Sequence, residues 1–205
     1  MPRRPRKEID QKGAIFHIVC RGNNQRRIFL SSRDYKKFLK ILEEAKKKFP
    51  FYLYSFTLIP NHYHLEIETI KISISKIMHF INNCYVKYFN RRYKRSGHLF
   101  EDRFYCSHID NESYFWQVAQ YIDLNAVKAG LVEKPEDYPW SSYKFYYQNE
   151  DDGKLIDDER FLRFGGDEPL EKLRQNYIKF VEDGLKLLKE KSKKEPVWLE
   201  SEKFD

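Results

Sequence analysis

Hydrophobic and polar positions alternate along AIFHIVCR, Ala14 to Arg21, and this alternation predicts a strand. A Gly-Asn loop follows. SSRDYKKFLKILEEAKKKF then sets Tyr35, Phe38, Leu39 and Leu42 at helical spacing, with Ser32 placed to cap the helix. Phe51 to Ile59 is rich in β-branched and aromatic residues, and Pro60-Asn61 turns the chain into a strand from His62 to Glu68, so the two read as a hairpin. Apolar residues at Ile74, Ile77, Met78, Ile81, Tyr85, Tyr88 and Phe89 predict a second amphipathic helix, from Ser73 to about Tyr93, which ends in RRYKRSG. A strand from Phe104 to Ile109 comes next. Asp110 or Asn111 then caps a helix that runs to Ala129 and stops at Gly130.

The order βαββαβα predicts an α+β fold: a ferredoxin-like split βαβ antiparallel sheet with helices on one face, plus one additional helix. Beyond Val132 the pattern loosens into the turn-rich EKPEDYPWSSYKFYYQNEDDGK, followed by one short and one longer helix in ERFLRFGGDEPLEKLRQNYIKFVEDGLKLLKEK. The charged end KSKKEPVWLESEKFD offers one docking segment, Pro196 to Leu199. The expected organisation is a basic arm over 1–12, a main domain over 13–148 and a helical extension over 149–205.

Composition narrows the setting. A chain of 205 residues that is 41% hydrophobic can build one sizeable core. It has no apolar run approaching the roughly 18 residues a membrane span needs, and MPRRPRKEIDQKG lacks the apolar stretch of a secretory signal, so a cytoplasmic protein without a membrane partner is expected. Cys20, Cys84 and Cys106 form no CxxC pair, which argues against a disulfide framework and a thiolate zinc site. The net charge of +7 suits a partner made of phosphates. Two clusters carry much of it, CRGNNQRR and FNRRYKRSGH. The candidate nucleic-acid contacts are Arg21, Asn23, Asn24, Arg26 and Arg27 in the first, and Asn90, Arg91, Arg92, Lys94, Arg95 and His98 in the second, with Arg103 beyond it. PRRPRK, Pro2 to Lys7, reads equally as a basic arm on nucleic acid or an unstructured start.

On a strand, alternate side chains share a face, so His62, His64, Glu66 and Glu68 point one way while Tyr63, Leu65 and Ile67 point to the core. Two imidazoles so placed can converge on one cation, although HxH alone is matched as well by two partly exposed histidines without a ligand. Glu66 shares their face and reads either as a carboxylate supporting the site or as a solvent-exposed charge. In AQYIDLNAVKAG, Tyr121 and Asn125 lie one helical turn apart, a phenol beside an amide oxygen; by spacing alone, simple packing explains them better. His17, His79 and His108 are assigned structural roles.

The segments IFHIVCRGNNQRRIF, SSRDYKKFL, IPNHYHLEIE, YFNRRYKRSGHLFEDRFY and YIDLNAVKAGLVEKPEDYPWSSY, in this order, resemble the single-tyrosine HUH transposases, specifically the REP-associated tyrosine transposases. The resemblance covers about Gly13 to Tyr143. It implies that His62 and His64 are the paired histidines of the HUH motif, Tyr121 the nucleophile, and Asn125 a third, amide ligand of magnesium or manganese. It also implies a reaction on single-stranded DNA with hairpins, in which a metal-polarised phosphate is attacked by tyrosine to leave a 5′-phosphotyrosine link and a free 3′-hydroxyl. A phenol with a pKa of about 10 needs a nearby cation to react at neutral pH, and the covalent link would allow rejoining without ATP, in keeping with the lack of a GxxxxGK[ST] loop.

Two departures stand out: Ala126 where many relatives have proline, and Glu101-Asp102 where they commonly have Gln-Gly or Gln-Pro, which puts negative charge near the supposed DNA surface. The resemblance leaves open a homodimer in which the tyrosine helix reaches a partner's histidines. Competing readings are another HUH nuclease, such as a replication initiator or relaxase, and a noncatalytic module binding single-stranded DNA or RNA hairpins through sheet aromatics such as those of FYLYSF. The single obvious tyrosine and the lack of a helicase segment count against the former, and the lack of an RNP1-like run against the latter.

Overall fold

Four strands form the centre of the computed structural model, which describes residues 13–148 and 155–194; Pro2 to Lys7 and Pro196 to Leu199 lie outside the described residues. In chain order the strands and main helices are β1 (Ile15–Arg21), α1 (Ser32–Lys48), β2 (Phe51–Ile59), β3 (His62–Thr69), α2 (Ile74–Arg92), β4 (Tyr105–Ile109) and α3 (Glu112–Lys128). Three more helices follow, α4 (Tyr143–Gln148), α5 (Asp158–Arg163) and α6 (Leu170–Lys194). The sheet is antiparallel throughout, in the order β2-β3-β1-β4, which is the expected split βαβ arrangement.

Alternation assigns the faces. Phe16, Ile18 and Cys20 of β1 and Tyr63, Leu65 and Ile67 of β3 are buried, as are Phe38, Ile41, Leu42 and Ala45 of α1 and Ile77, Met78, Ile81 and Tyr85 of α2, all in one core. α1 and α2 pack on each other. Their meeting point is Asp34, whose carboxylate accepts from the Leu30 and Ser31 amides at 2.9 Å each, from Tyr88 at 2.8 Å and from Tyr93 at 2.6 Å. The cap of α1 is therefore Ser31, one residue earlier than the sequence predicts, because Asp34 at the third helical position closes a capping box on it.

The other sheet face is covered too. α3 packs chiefly on β2 and also touches β3 and β4. Asn111 caps it by accepting from the Tyr114 amide at 2.8 Å, and Gly130, at φ +67°, ends it with a bond from Leu131 N to Ala126 O at 3.0 Å. α6 lies against α3, α4 and α5, and its Leu173, Tyr177 and Val181 join the same core as the sheet. Residues 140–142 bond along the outer edge of β2, through Leu58 N to Trp140 O and Ser142 N to Phe56 O, both 2.9 Å, so that edge is not open to pairing. Phe51, Tyr54 and Phe56 are buried, so FYLYSF presents no open row of aromatics; Tyr52 is half-buried beneath Arg160, 4.3 Å from its ring centre. Among the described residues no helix is long and apolar enough to cross a membrane.

Candidate active site

Strand register decides which polar groups share the face opposite α1 and α2. Arg21 pairs with His62, Val19 with His64 and His17 with Glu66 on β1 and β3, while Thr57 of β2 pairs with His64 from the other side. His62 is half-buried and its Nδ1 lies 2.8 Å from Asn61 Oδ1; His64 and Glu66 are buried. Glu66 is therefore not the exposed charge that one sequence reading allowed: Ser55 donates to its Oε2 at 2.9 Å, and burial, with Asp123 nearby, pushes its carboxyl well above the ordinary range despite that bond.

α3 brings the phenol. The Tyr121 ring stands edge-on to His64 at 5.4 Å between centroids and to His17 at 5.9 Å, and the His62 and His64 rings are 4.9 Å apart. Two contacts hold the helix in that position. Thr57, the sheet partner of His64, donates to the carbonyl of Ile122 at 2.7 Å. Asp123 receives the Tyr177 hydroxyl of α6 at 2.5 Å and the Ser142 hydroxyl at 3.3 Å. Asn125 follows one turn after Tyr121 and is buried. Tyr121 and both histidines of the HxH pair belong to one chain, so these rings meet without a second copy.

Two residues outside the expected set also stand in the site. His17 Nε2 is 3.0 Å from His64 Nδ1, with the ring centroids 5.2 Å apart and 16° between the ring planes. Its place in the alternation of AIFHIVCR, opposite Phe16 and Ile18, was the available signal; its neighbour across the strands was not. Lys128 sets its ammonium 5.2 Å from the centre of the Tyr121 ring, at the i+7 spacing that keeps it on the tyrosine's side of α3. Burial lowers His17 to about 4 and holds His64 well below 6.5, so both rings are neutral at neutral pH, the form that binds metals.

The residues fit a cation. His64 Nε2 is buried and has no hydrogen-bond partner among the described residues, and neither has Glu66 Oε1. No group of three His, Cys, Asp or Glu among the described residues could hold a metal. Any ion at the HxH pair would therefore draw further ligands from an amide such as Asn125, from water or from substrate oxygen.

The two basic clusters adjoin. Asn23 N bonds Leu99 O at 2.9 Å, Glu101 N bonds Arg21 O at 3.0 Å, and Gly22 bridges Phe100. A side chain at position 22 would put its Cβ 2.1 Å from Arg26 O, so only glycine lets the loop fold back. Asn24, Arg26, Arg27, Arg91, Lys94, His98 and Arg103 are exposed, with Arg21 and Asn23 half-buried. Three of the candidate contacts are engaged within the fold: Asn90 closes the loop on Gly97 O at 3.1 Å, Arg92 pairs with Asp34 at 3.4 Å, and Arg95 lies 5.7 Å over Phe89. Glu101 and Asp102 are exposed beside them, as the sequence suggested.

The sequence model of a family described as Transposase IS200 like matches residues 10–125, more than half of the chain. The chain belongs to that family. This IS200-like transposase is accordingly an enzyme acting on DNA. Its fold is similar to a solved structure described as the REP-associated tyrosine transposase bound to a REP hairpin, with a TM-score of 0.61 and 21% identity over 72% of this chain and 85% of that one. A search of curated proteins finds no match.

Proposed function

We propose that this transposase cuts and rejoins single-stranded DNA at hairpin-associated sites, with Tyr121 as nucleophile and His62, His64 and Asn125 as protein ligands of magnesium or manganese. The observation that carries the reading is the Tyr121 ring standing 5.4 Å from His64 within one chain. In the reaction, the Tyr121 hydroxyl gives up its proton and its oxygen bonds to phosphorus as the bond from phosphorus to the 3′ oxygen breaks. The 3′ oxygen leaves as a hydroxyl after taking up a proton, and the 5′ end stays on the tyrosine. A 3′-hydroxyl attacking that link reverses the step. The family is generally metal-dependent, and a bound ion would withdraw charge from the phosphate and favour the ionised phenol.

The chain's own residues do the rest. Lys128 adds positive charge beside the phenol. Neutral His64 offers an unpartnered nitrogen. Arg21, across from His62, and the exposed Arg26, Arg27, Arg91, Lys94, His98 and Arg103 are suited to the DNA backbone. The hairpin held by the similar solved structure supports a hairpin substrate.

The test is incubation with single-stranded hairpin oligonucleotides and Mn²⁺ or Mg²⁺, followed by a denaturing gel. A covalent adduct is expected that disappears in Tyr121→Phe and weakens in His64→Ala. An adduct that survives Tyr121→Phe moves the nucleophile elsewhere, and none across varied hairpins and metals favours a binding role. Binding should also fall steeply with salt, and Arg26→Ala with Arg27→Ala should make log K against log salt shallower by about 1.4 for single strands. An unchanged slope removes that loop from the DNA surface.

A further inference from the structure

We propose that His17 fixes the tautomer of His64, and so decides which His64 nitrogen is open to a cation; this rests on the ligand role given to His64 above. His17 Nε2 and His64 Nδ1 lie 3.0 Å apart, so one of them carries the shared hydrogen. If His17 donated, neutral His64 would bear its proton on Nε2. That atom is buried without a partner among the described residues, so the fold would hold an N–H donor with no acceptor. If His64 Nδ1–H donates, its Nε2 is instead a bare lone pair, which a metal ion can take.

The strand pairing brings His17 to His64 Nδ1. His17 sits on β1 opposite Glu66, two residues beyond His64 on β3, and reaches back along the sheet so that the two rings meet edge to edge with 16° between their planes. Tyr121 closes over both, at 5.9 Å from His17 and 5.4 Å from His64. Both histidines are buried, so little water can compete for the bond. His17 is thus a positioning residue: it touches no substrate in this scheme and acts through the orientation and protonation of His64.

Long-range ¹H–¹⁵N NMR of the full-length protein labelled with ¹⁵N-histidine, without metal, reads the tautomer directly, with the His64 signal identified by its loss in His64→Ala. His64 is expected with protonated Nδ1 and bare Nε2; the opposite tautomer in the unaltered protein overturns the proposal without any variant at His17. Mn²⁺ titration followed by electron paramagnetic resonance gives the second readout. His17→Leu should weaken Mn²⁺ binding roughly 10- to 100-fold, whereas His17→Gln, which keeps an acceptor oxygen, should retain most of it. Equal affinity in His17→Leu, or equal loss in the two variants, refutes an acceptor role. If the unaltered protein shows the expected tautomer but binds no Mn²⁺, the ligand reading of His64 fails while the His17 assignment stands.

Discussion

Replacing Asp123 by asparagine tests how the helix bearing Tyr121 is held. Asp123 is fully buried between α3 and α6, and burial raises its pKa from 3.8 to about 7, against the pull of the Tyr177 and Ser142 hydroxyls. Its folded pKa lies above its unfolded one, so between those values the folded state holds the extra proton and stability falls as pH rises. The full cost above pH 7 is about 4 kcal/mol, at roughly 1.4 kcal/mol per tenfold change, and about 2 to 3 kcal/mol of it accrues between pH 5 and pH 8. Asparagine keeps the geometry, since its Oδ1 can accept from Tyr177 and its Nδ2 can donate to Ser142 Oγ, and it has nothing to ionise.

Urea unfolding of both proteins at several pH values from about 5 to about 8 supplies the comparison. The stability of Asp123→Asn relative to the parent should climb by about 2 to 3 kcal/mol across that range. Taking the difference between the two curves removes most of the pH dependence contributed by Glu66, the other buried carboxyl nearby. Parallel curves would refute the reasoning, because they would mean that Asp123 titrates in the fold as it does in the unfolded chain.

Asp34→Ala strands two phenols and two amides at the junction of α1 and α2, and should cost about 3–5 kcal/mol in urea unfolding. Burial alone would raise the Asp34 carboxyl, but those hydrogen bonds together outweigh it and hold the group below 3.8, so its stabilising effect is present above about pH 4 and should be lost as the pH falls further. Thr57→Val removes the bond to the Ile122 carbonyl and should cost only about 1 kcal/mol of stability while lowering adduct formation, measured on the same hairpin gels. Gly22→Ala drives a Cβ into Arg26 O and should weaken oligonucleotide binding, read by fluorescence anisotropy, while circular dichroism still shows the folded sheet and helices.

Local periodicity made much of the candidate site legible. The alternation in HYHLEIE sent both histidines to one face, and register and ring packing agree, with the His62 and His64 rings 4.9 Å apart; the i, i+4 spacing places Asn125 one turn after Tyr121, where it is buried. The strand order followed from the βαββαβ succession, and Asn111 and Gly130 delimited α3 because capping is local chemistry. The basic clusters were visible as charge, but not their division of labour: Arg92 went to Asp34 and Asn90 to Gly97, partners distant or hidden in the chain.

What no window of residues contains is which groups meet across strands. His17 read as a structural histidine because its partner, His64, is 47 positions away and becomes its neighbour only when β1 pairs with β3. Glu66 and Tyr54 of FYLYSF could have been exposed on an open sheet; they are buried because α3 and the segments after it cover that face. Side-chain period is set by backbone geometry within one element, and so can be read from a short sequence. Burial and hydrogen-bond partners depend on what packs against that element from elsewhere in the chain, and tertiary structure alone supplied them.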